Sequence, residues 1–244
     1  IRSEELLAKT IDITHRFYAS SSEPLGHSDL IKLAEQQGEH ALIELFNHHS
    51  LGYADNGGSL DVRQEIARLY NDNISADNIV VFPGAQTGMT LTAQALLHTG
   101  DHAIIVTPSY QSLEESAKLA GCEITRVALS PNDNWRLNII AIEAAIKDNT
   151  KYIALNDPHN PSGALMDVET KTALCKVAEK YQLVILSDEV YRLLEIDPEE
   201  RSASMADISK NALALSTMSK PWGAGGTGIG WIACQDQTLC EKLR

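Results

Sequence analysis

The sequence is short of aromatic residues, of positive charge, of paired cysteines and of long apolar runs, and most of these shortages remove a class of protein. Phe, Trp and Tyr make up 5% of the 244 residues, while the hydrophobic fraction, 43%, is that of an ordinary globular chain. Lys and Arg number 20 against 33 Asp and Glu, a net charge of −13. That argues against a nucleic-acid partner, because such surfaces carry a basic stripe; the acidity serves solubility instead. The four cysteines, Cys122, Cys175, Cys234 and Cys240, are scattered with no CxxC pair. Each reads as a reduced core or helix residue, and the chain as cytoplasmic. The eight histidines show no HExxH-like spacing, so no metal site is expected. No apolar run reaches the roughly 18 residues of a membrane span, and "IRSEELLAKTIDITHRF" lacks a basic-then-apolar signal layout; no membrane partner is expected. The length allows one large domain, or one domain and part of another.

What is present is a rhythm. "HSDLIKLAEQQGEHALIELFNHH" has helical spacing with Ser28 or Asp29 as a cap, and "GSLDVRQEIARLYNDN" repeats it behind Ser59. Then short apolar runs alternate with helical stretches. "NIVVF", "HAIIVT", "EITRVAL", "YIALN", "LVILSD", "ALALS" and "IGWIAC" read as strands; "AQTGMTLTAQALLHTG", "YQSLEESAKLAG", "NIIAIEAAIKDN" and "DVETKTALCKVAEKYQ" read as helices. That alternation predicts a mainly parallel sheet covered on both faces, a three-layer α/β/α arrangement with seven strands. Ligands of such sheets bind beyond the carboxyl ends of the strands, so the residues just after each strand carry the functional information.

Five of those positions stand out. After "NIVVF" comes "PGAQTG", which opens a helix with Gly84, Ala85 and Gln86; it is either a tight turn or an anion cradle of free N–H groups. After "HAIIVT" comes Tyr110, a packing residue or a ring that stacks on a flat ligand. After "YIALN" comes "DPHNPSG", where Pro161 holds Asn160 out of the helical region. After "LVILS" comes Asp188, a helix cap or a buried acid awaiting a cation. After "ALALS" comes "TMSKPWGAGGTG", a lysine on a loop stripped of bulk. Lys220 is either a surface residue or an amine desolvated enough to condense with an aldehyde. Together they gather an anion cradle, a stacking ring, an asparagine, an acid and an amine on one rim, the parts that a pyridine aldehyde phosphate requires.

These motifs, with "YADNGGSLDVRQEIA" ahead of them, resemble in order and approximate spacing those of the fold-type I, pyridoxal-phosphate-dependent class I/II aminotransferases. The resemblance implies a pyridoxal 5'-phosphate cofactor and transfer of an amino group from an L-amino acid to a 2-oxo acid. It assigns Lys220 as the Schiff-base lysine and proton shuttle, and Asp188 as the partner of the ring nitrogen. Asn160 and Tyr191 fall on the ring oxygen and Tyr110 on the ring face. Gly84, Ala85, Gln86, Thr217 and Ser219 fall on the phosphate. Tyr53 matches a tyrosine that reaches the phosphate of a neighbouring subunit, implying a homodimer with shared sites. Residues 1–45 are expected to form an N-terminal segment with part of a small domain and a substrate-site loop, in which Ser22, Glu23 and His27 are candidate contacts; residues 46–244 form the cofactor-binding large domain.

Two departures stand against the family pattern. The arginine expected eight residues after the lysine, a phosphate partner, is Gly228 here, so the cofactor should bind more loosely, another cation must substitute, or the phosphate is held mostly by backbone amides and hydroxyls. And the family continues beyond the position of Arg244 with a long helix and most of the small domain, including an arginine for the substrate carboxylate. No residue here takes that role, and either the sequence is expected to be part of a longer chain or the protein is a fragment. Other reactions on the same scaffold (elimination, cyclisation, oxygen-consuming oxidation) and a non-catalytic domain remain the alternatives.

Overall fold

The computed structural model describes residues 20–244, so the first 19 residues of the expected N-terminal segment lie outside it. Two short helices come first, α1 (His27–Gln36) and α2 (His40–Asn47). The single long helix expected there is split by a turn at Gly38. Its start also differs: Gly26 is the N-cap, and the Asp29 carboxylate accepts from the Gly26 N–H at 2.9 Å rather than capping from outside. Helix α3 (Leu60–Ala67) begins after Ser59, as its sequence suggests.

Then the alternation takes over: β1 (Ile79–Pro83), α4 (Ala85–Leu96), β2 (His102–Thr107), α5 (Gln111–Leu119), β3 (Glu123–Ala128), α6 (Ile139–Ala144), β4 (Thr150–Asn156), α7 (Val168–Tyr181), β5 (Val184–Asp188), α8 (Met205–Ile208), β6 (Ala212–Thr217), β7 (Ile229–Ala233) and α9 (Gln237–Leu243). Helix α6 is shorter than its apolar spacing suggests. Thr150 Oγ1 accepts from the Lys147 N–H at 2.7 Å, turning the chain into β4 before another helical turn can form.

The seven strands form one sheet in the order β1-β7-β6-β5-β4-β2-β3. All neighbours pair in parallel except those of β7, which is antiparallel to both β1 and β6. Strand alternation sorts the side chains into two layers. Ile105, Tyr152, Ala154, Leu186, Leu213 and Leu215 pack with Met89, Ala93, Leu113 and Cys240 from α4, α5 and α9 on one face. Ile104, Ile153, Leu155 and Ile185 pack with Ile142, Leu174 and Met205 from α6, α7 and α8 on the other. A third cluster, around Trp231, Ile79 and Ile66, closes the second face near β1. With both faces covered, the open positions are the strand ends, and β1, β2, β4, β5 and β6 all end on the same rim.

Candidate active site

That rim holds a cavity of about 550 Å³, lined by Gly84, Ala85, Gln86, Tyr110, Asn160, Asp188, Tyr191, Thr217, Ser219 and Lys220, together with Ser20, Met89 and Val190. Ten of the eleven site residues expected from the sequence therefore meet around one space. Tyr53 does not; it lies fully exposed elsewhere on the chain. Of the three candidate contacts in the N-terminal segment, none lines the cavity. Ser22 Oγ donates to the Lys220 carbonyl, the Glu23 backbone packs on Gly223, and His27 meets Phe46 edge-on at 5.4 Å. The residue that does reach in is Ser20, which nothing in the local sequence distinguishes from Ser21 or Ser22.

The acid sits at the last residue of β5 and is 2% exposed. No helix follows it, so it is not a helix cap; its Oδ1 accepts only a long bond, 3.3 Å, from the Val190 N–H. Burial pushes its carboxyl up to about 7 from an ordinary 3.8, the neighbouring Glu189 adds to the rise, and Val190 N–H and Lys220 oppose it. A carboxylate held this way favours a cation facing it from the cavity. Asn160 Nδ2 donates to Tyr191 Oη at 3.1 Å, and Tyr191 Oη donates to Ser20 Oγ at 2.9 Å, so amide and phenol form one connected unit.

Lys220 Nζ donates to the Ser20 carbonyl at 2.5 Å and lies 5.8 Å from the centre of the Tyr191 ring. The scarcity of side chains around it has two steric causes. A Cβ on Gly223 would stand 2.2 Å from the Glu23 carbonyl oxygen, where residues 23–25 cross the lysine loop and Leu25 N–H donates to Gly223 O at 3.1 Å. A Cβ on Gly230 would stand 2.3 Å from the Ala85 nitrogen. Only glycine lets the start of β7 pass so close to the start of α4. At the other end of the cavity, Thr217 Oγ1 and Ser219 Oγ lie 3.0 Å apart beside the N-terminus of α4, whose first N–H groups have no partner within the helix. Tyr110 Oη donates to Gln86 Oε1 at 3.2 Å.

Two braces escaped the sequence reading. His159, 5% exposed, bonds Pro108 O at 2.7 Å and Ser162 Oγ at 2.6 Å, tying the Tyr110 loop to the Asn160 loop. Asn156, the last residue of β4, bonds both Asp188 and Asn160. Among the described cavity-lining residues Lys220 is the sole Lys or Arg, and Gly228 is exposed with open space where a Cβ would go.

A sheet with an amine, an acid and an anion cradle at its carboxyl ends defines a class, and comparison with known proteins agrees with it. The family described as "Aminotransferase class I and II" matches residues 20–244. The chain belongs to that family, whose members depend on pyridoxal phosphate. It is 28% identical over 220 residues to an aspartate aminotransferase of Pyrococcus horikoshii, an overlap of 88% of this chain and 55% of that protein. It is 33% identical over 196 residues to the arginine–pyruvate transaminase of Pseudomonas aeruginosa, covering 78% of this chain and 50% of that protein. The structure superimposes on a PLP-dependent aminotransferase from Streptococcus suis with a TM-score of 0.82 at 27% identity, over 93% of this chain and 59% of the other. The chain thus spans only about half to three-fifths of the length of these relatives. Among the described residues no helix is long and apolar enough to cross a membrane.

Proposed function

We propose that this chain is the large-domain part of a pyridoxal-phosphate-dependent transaminase that moves the amino group of an L-amino acid to a 2-oxo acid. The observation that carries the reading is the convergence of Lys220, Asp188, Asn160 and Tyr191 on one cavity at the strand ends. The donor set suits the cofactor. A buried carboxylate that lacks a firm partner fits a protonated ring nitrogen, and the N-terminus of α4 with two hydroxyls fits a phosphate.

When bound, pyridoxal phosphate supplies an aldehyde that takes up the amino group and a ring that accepts the electrons of the Cα–H bond. Lys220 Nζ is the amine that would hold the aldehyde end of the cofactor, and as a free amine it would carry the α-proton of the substrate. Asp188 would face the ring nitrogen and favour its protonated form. Asn160 Nδ2 and Tyr191 Oη would hold the ring oxygen, and Tyr110 would pack against the ring. Gly84, Ala85, Gln86, Thr217 and Ser219 would hold the phosphate through neutral donors.

The reading extends to a cytoplasmic homodimer in which Tyr53 serves a neighbour's site. Its support is the full exposure of Tyr53 and Leu51 beside the half-exposed apolar side chains of α1 and α2. Four free cysteines fit a reducing compartment. Residues 1–45 would then belong to the small domain and substrate loop, and 46–244 to the large domain.

The test is an amino-acid panel presented to the purified full-length protein with and without a 2-oxo acid, combined with borohydride trapping at Lys220. Amino transfer that requires the 2-oxo acid supports the proposal. Oxygen uptake and ammonia release without one would assign an oxidase instead, and no trapping at Lys220 would remove the cofactor reading altogether.

A further inference from the structure

We infer that Asn156 is the positioning residue that fixes Asn160 relative to Asp188, and so sets how the ring oxygen is held. The inference rests on the cofactor reading above. Asn156 closes β4, is 5% exposed, and sits opposite Asp188 in the β4–β5 register. Its Nδ2 donates to the Asp188 carbonyl at 2.7 Å, and its Oδ1 accepts from the Asn160 N–H at 2.6 Å. One partner is an acceptor and the other a donor, so the amide can face only one way. Aspartate would set an acceptor against a carbonyl, and leucine would leave the Asn160 N–H unpaired and the Asp188 carbonyl with one donor fewer.

The chain needs such a brace because its backbone cannot supply one. Beyond Asn156 the Asp157 N–H makes one more bond to Asp188 O, at 3.0 Å. Proline then occupies 158 and 161, which removes two N–H groups from the "DPHNP" stretch. The Asn156 side chain takes over the role of the sheet ladder, and its two bonds reach the loops that present the acid and the ring-oxygen pair. Asp188 would keep its strand pairing and the Asp157 N–H if Asn156 were lost. Asn160 would lose the bond that seats its backbone, and with it the alignment of Nδ2 toward Tyr191 Oη. The damage should therefore appear at the ring oxygen.

The experiment measures dissociation constants of pyridoxal phosphate and of its analogue lacking the phenolic oxygen, by absorbance titration of the full-length protein. Wild type should prefer pyridoxal phosphate by about tenfold, the effect of losing bonded donors at a buried acceptor. In Asn156→Ala the ratio should fall toward one. Thr150→Ala is the control: Thr150 is equally buried, lies at the opposite end of β4, and bonds His102 and the Lys147 N–H. It should lower the melting temperature while leaving the ratio intact. If Asn156→Ala does not fold, Asn156→Ser is read in its place. A ratio unchanged in the variant, a wild-type ratio near one, or a ratio lost equally in Thr150→Ala overturns the assignment of Asn156. Failure of the wild type to bind either compound overturns the cofactor reading, and this inference with it.

Discussion

The two ends of the cavity are built on different principles. At the ring end Asp188 is buried at a strand terminus, its carboxylate held by one long bond, and Asn160, Tyr191 and Ser20 form one chain of hydrogen bonds. At the phosphate end the donors are backbone N–H groups and the Thr217 and Ser219 hydroxyls, and the position where the family pattern has an arginine is Gly228. The ring end stores an electrostatic demand, and the phosphate end offers dipoles without a full charge. On the proposed reading, such an arrangement would orient the ring tightly and retain the anion weakly.

The largest effect should come from the residue that stands between the ends. Lys220→Ala should lower turnover by about 10⁴-fold, the upper range for a proton-transfer group, and abolish borohydride trapping; a steady-state assay checks the first and mass spectrometry of the borohydride-treated protein the second. Turnover that persists in this variant would break the whole assignment. Next, Asp188→Asn should cost about 10²–10³-fold in kcat, as for loss of one preorganised charge at the reacting group.

The same substitution has a stability signature with the opposite sign. In the unfolded chain the Asp188 carboxyl ionises near 3.8, and in the folded chain near 7. The folded state therefore holds the extra proton between those values. The Asp188 contribution to stability is full below about pH 4 and is lost as pH rises to about 7. Cofactor-free Asp188→Asn should accordingly melt higher than wild type at pH 8, with the gap closing toward pH 4. Equal melting temperatures at pH 8 would show that the acid is not strained by burial.

At the phosphate end the expected changes are smaller and run toward improvement. An ionised hydrogen bond is worth about 1.5–3 kcal/mol. Gly228 has φ of 64°, where a side chain costs roughly 1–2 kcal/mol. That strain is present with and without ligand, so Gly228→Arg should lower the melting temperature, tighten pyridoxal phosphate by about tenfold through the new charged contact, and leave the affinity for pyridoxal, which lacks the phosphate, unaffected. Equal gains for both ligands would remove the neutral-cradle explanation. The smallest effect belongs to Tyr110→Phe. It keeps the ring and loses one exposed bond to Gln86, and kcat/KM should change by no more than about threefold.

Most of this site was legible because its residues follow strands, and strands declare themselves by short apolar runs. Once β1, β2, β4, β5 and β6 are read as parallel, Gly84, Tyr110, Asn160, Asp188 and Lys220 must fall on one rim. The illegible parts depend on contacts between distant segments. Ser20 meets Tyr191 and Lys220 across about 170 to 200 positions of sequence. Asn156 reads as one more strand residue until its amide is seen between two loops. The split between α1 and α2 escaped notice because the apolar spacing runs straight through Gly38.

By itself, then, the sequence determined the layered α/β architecture, the order of the motifs and the chemistry of the rim, because hydrophobic period and strand-end residues are local properties. Only the tertiary structure decided which serine enters the cavity, why Gly223 and Gly230 tolerate no side chain, how far burial raises Asp188, and which amide holds the ring-end loops together. Those are properties of distance and solvent exclusion, and they exist only after the chain has closed on itself.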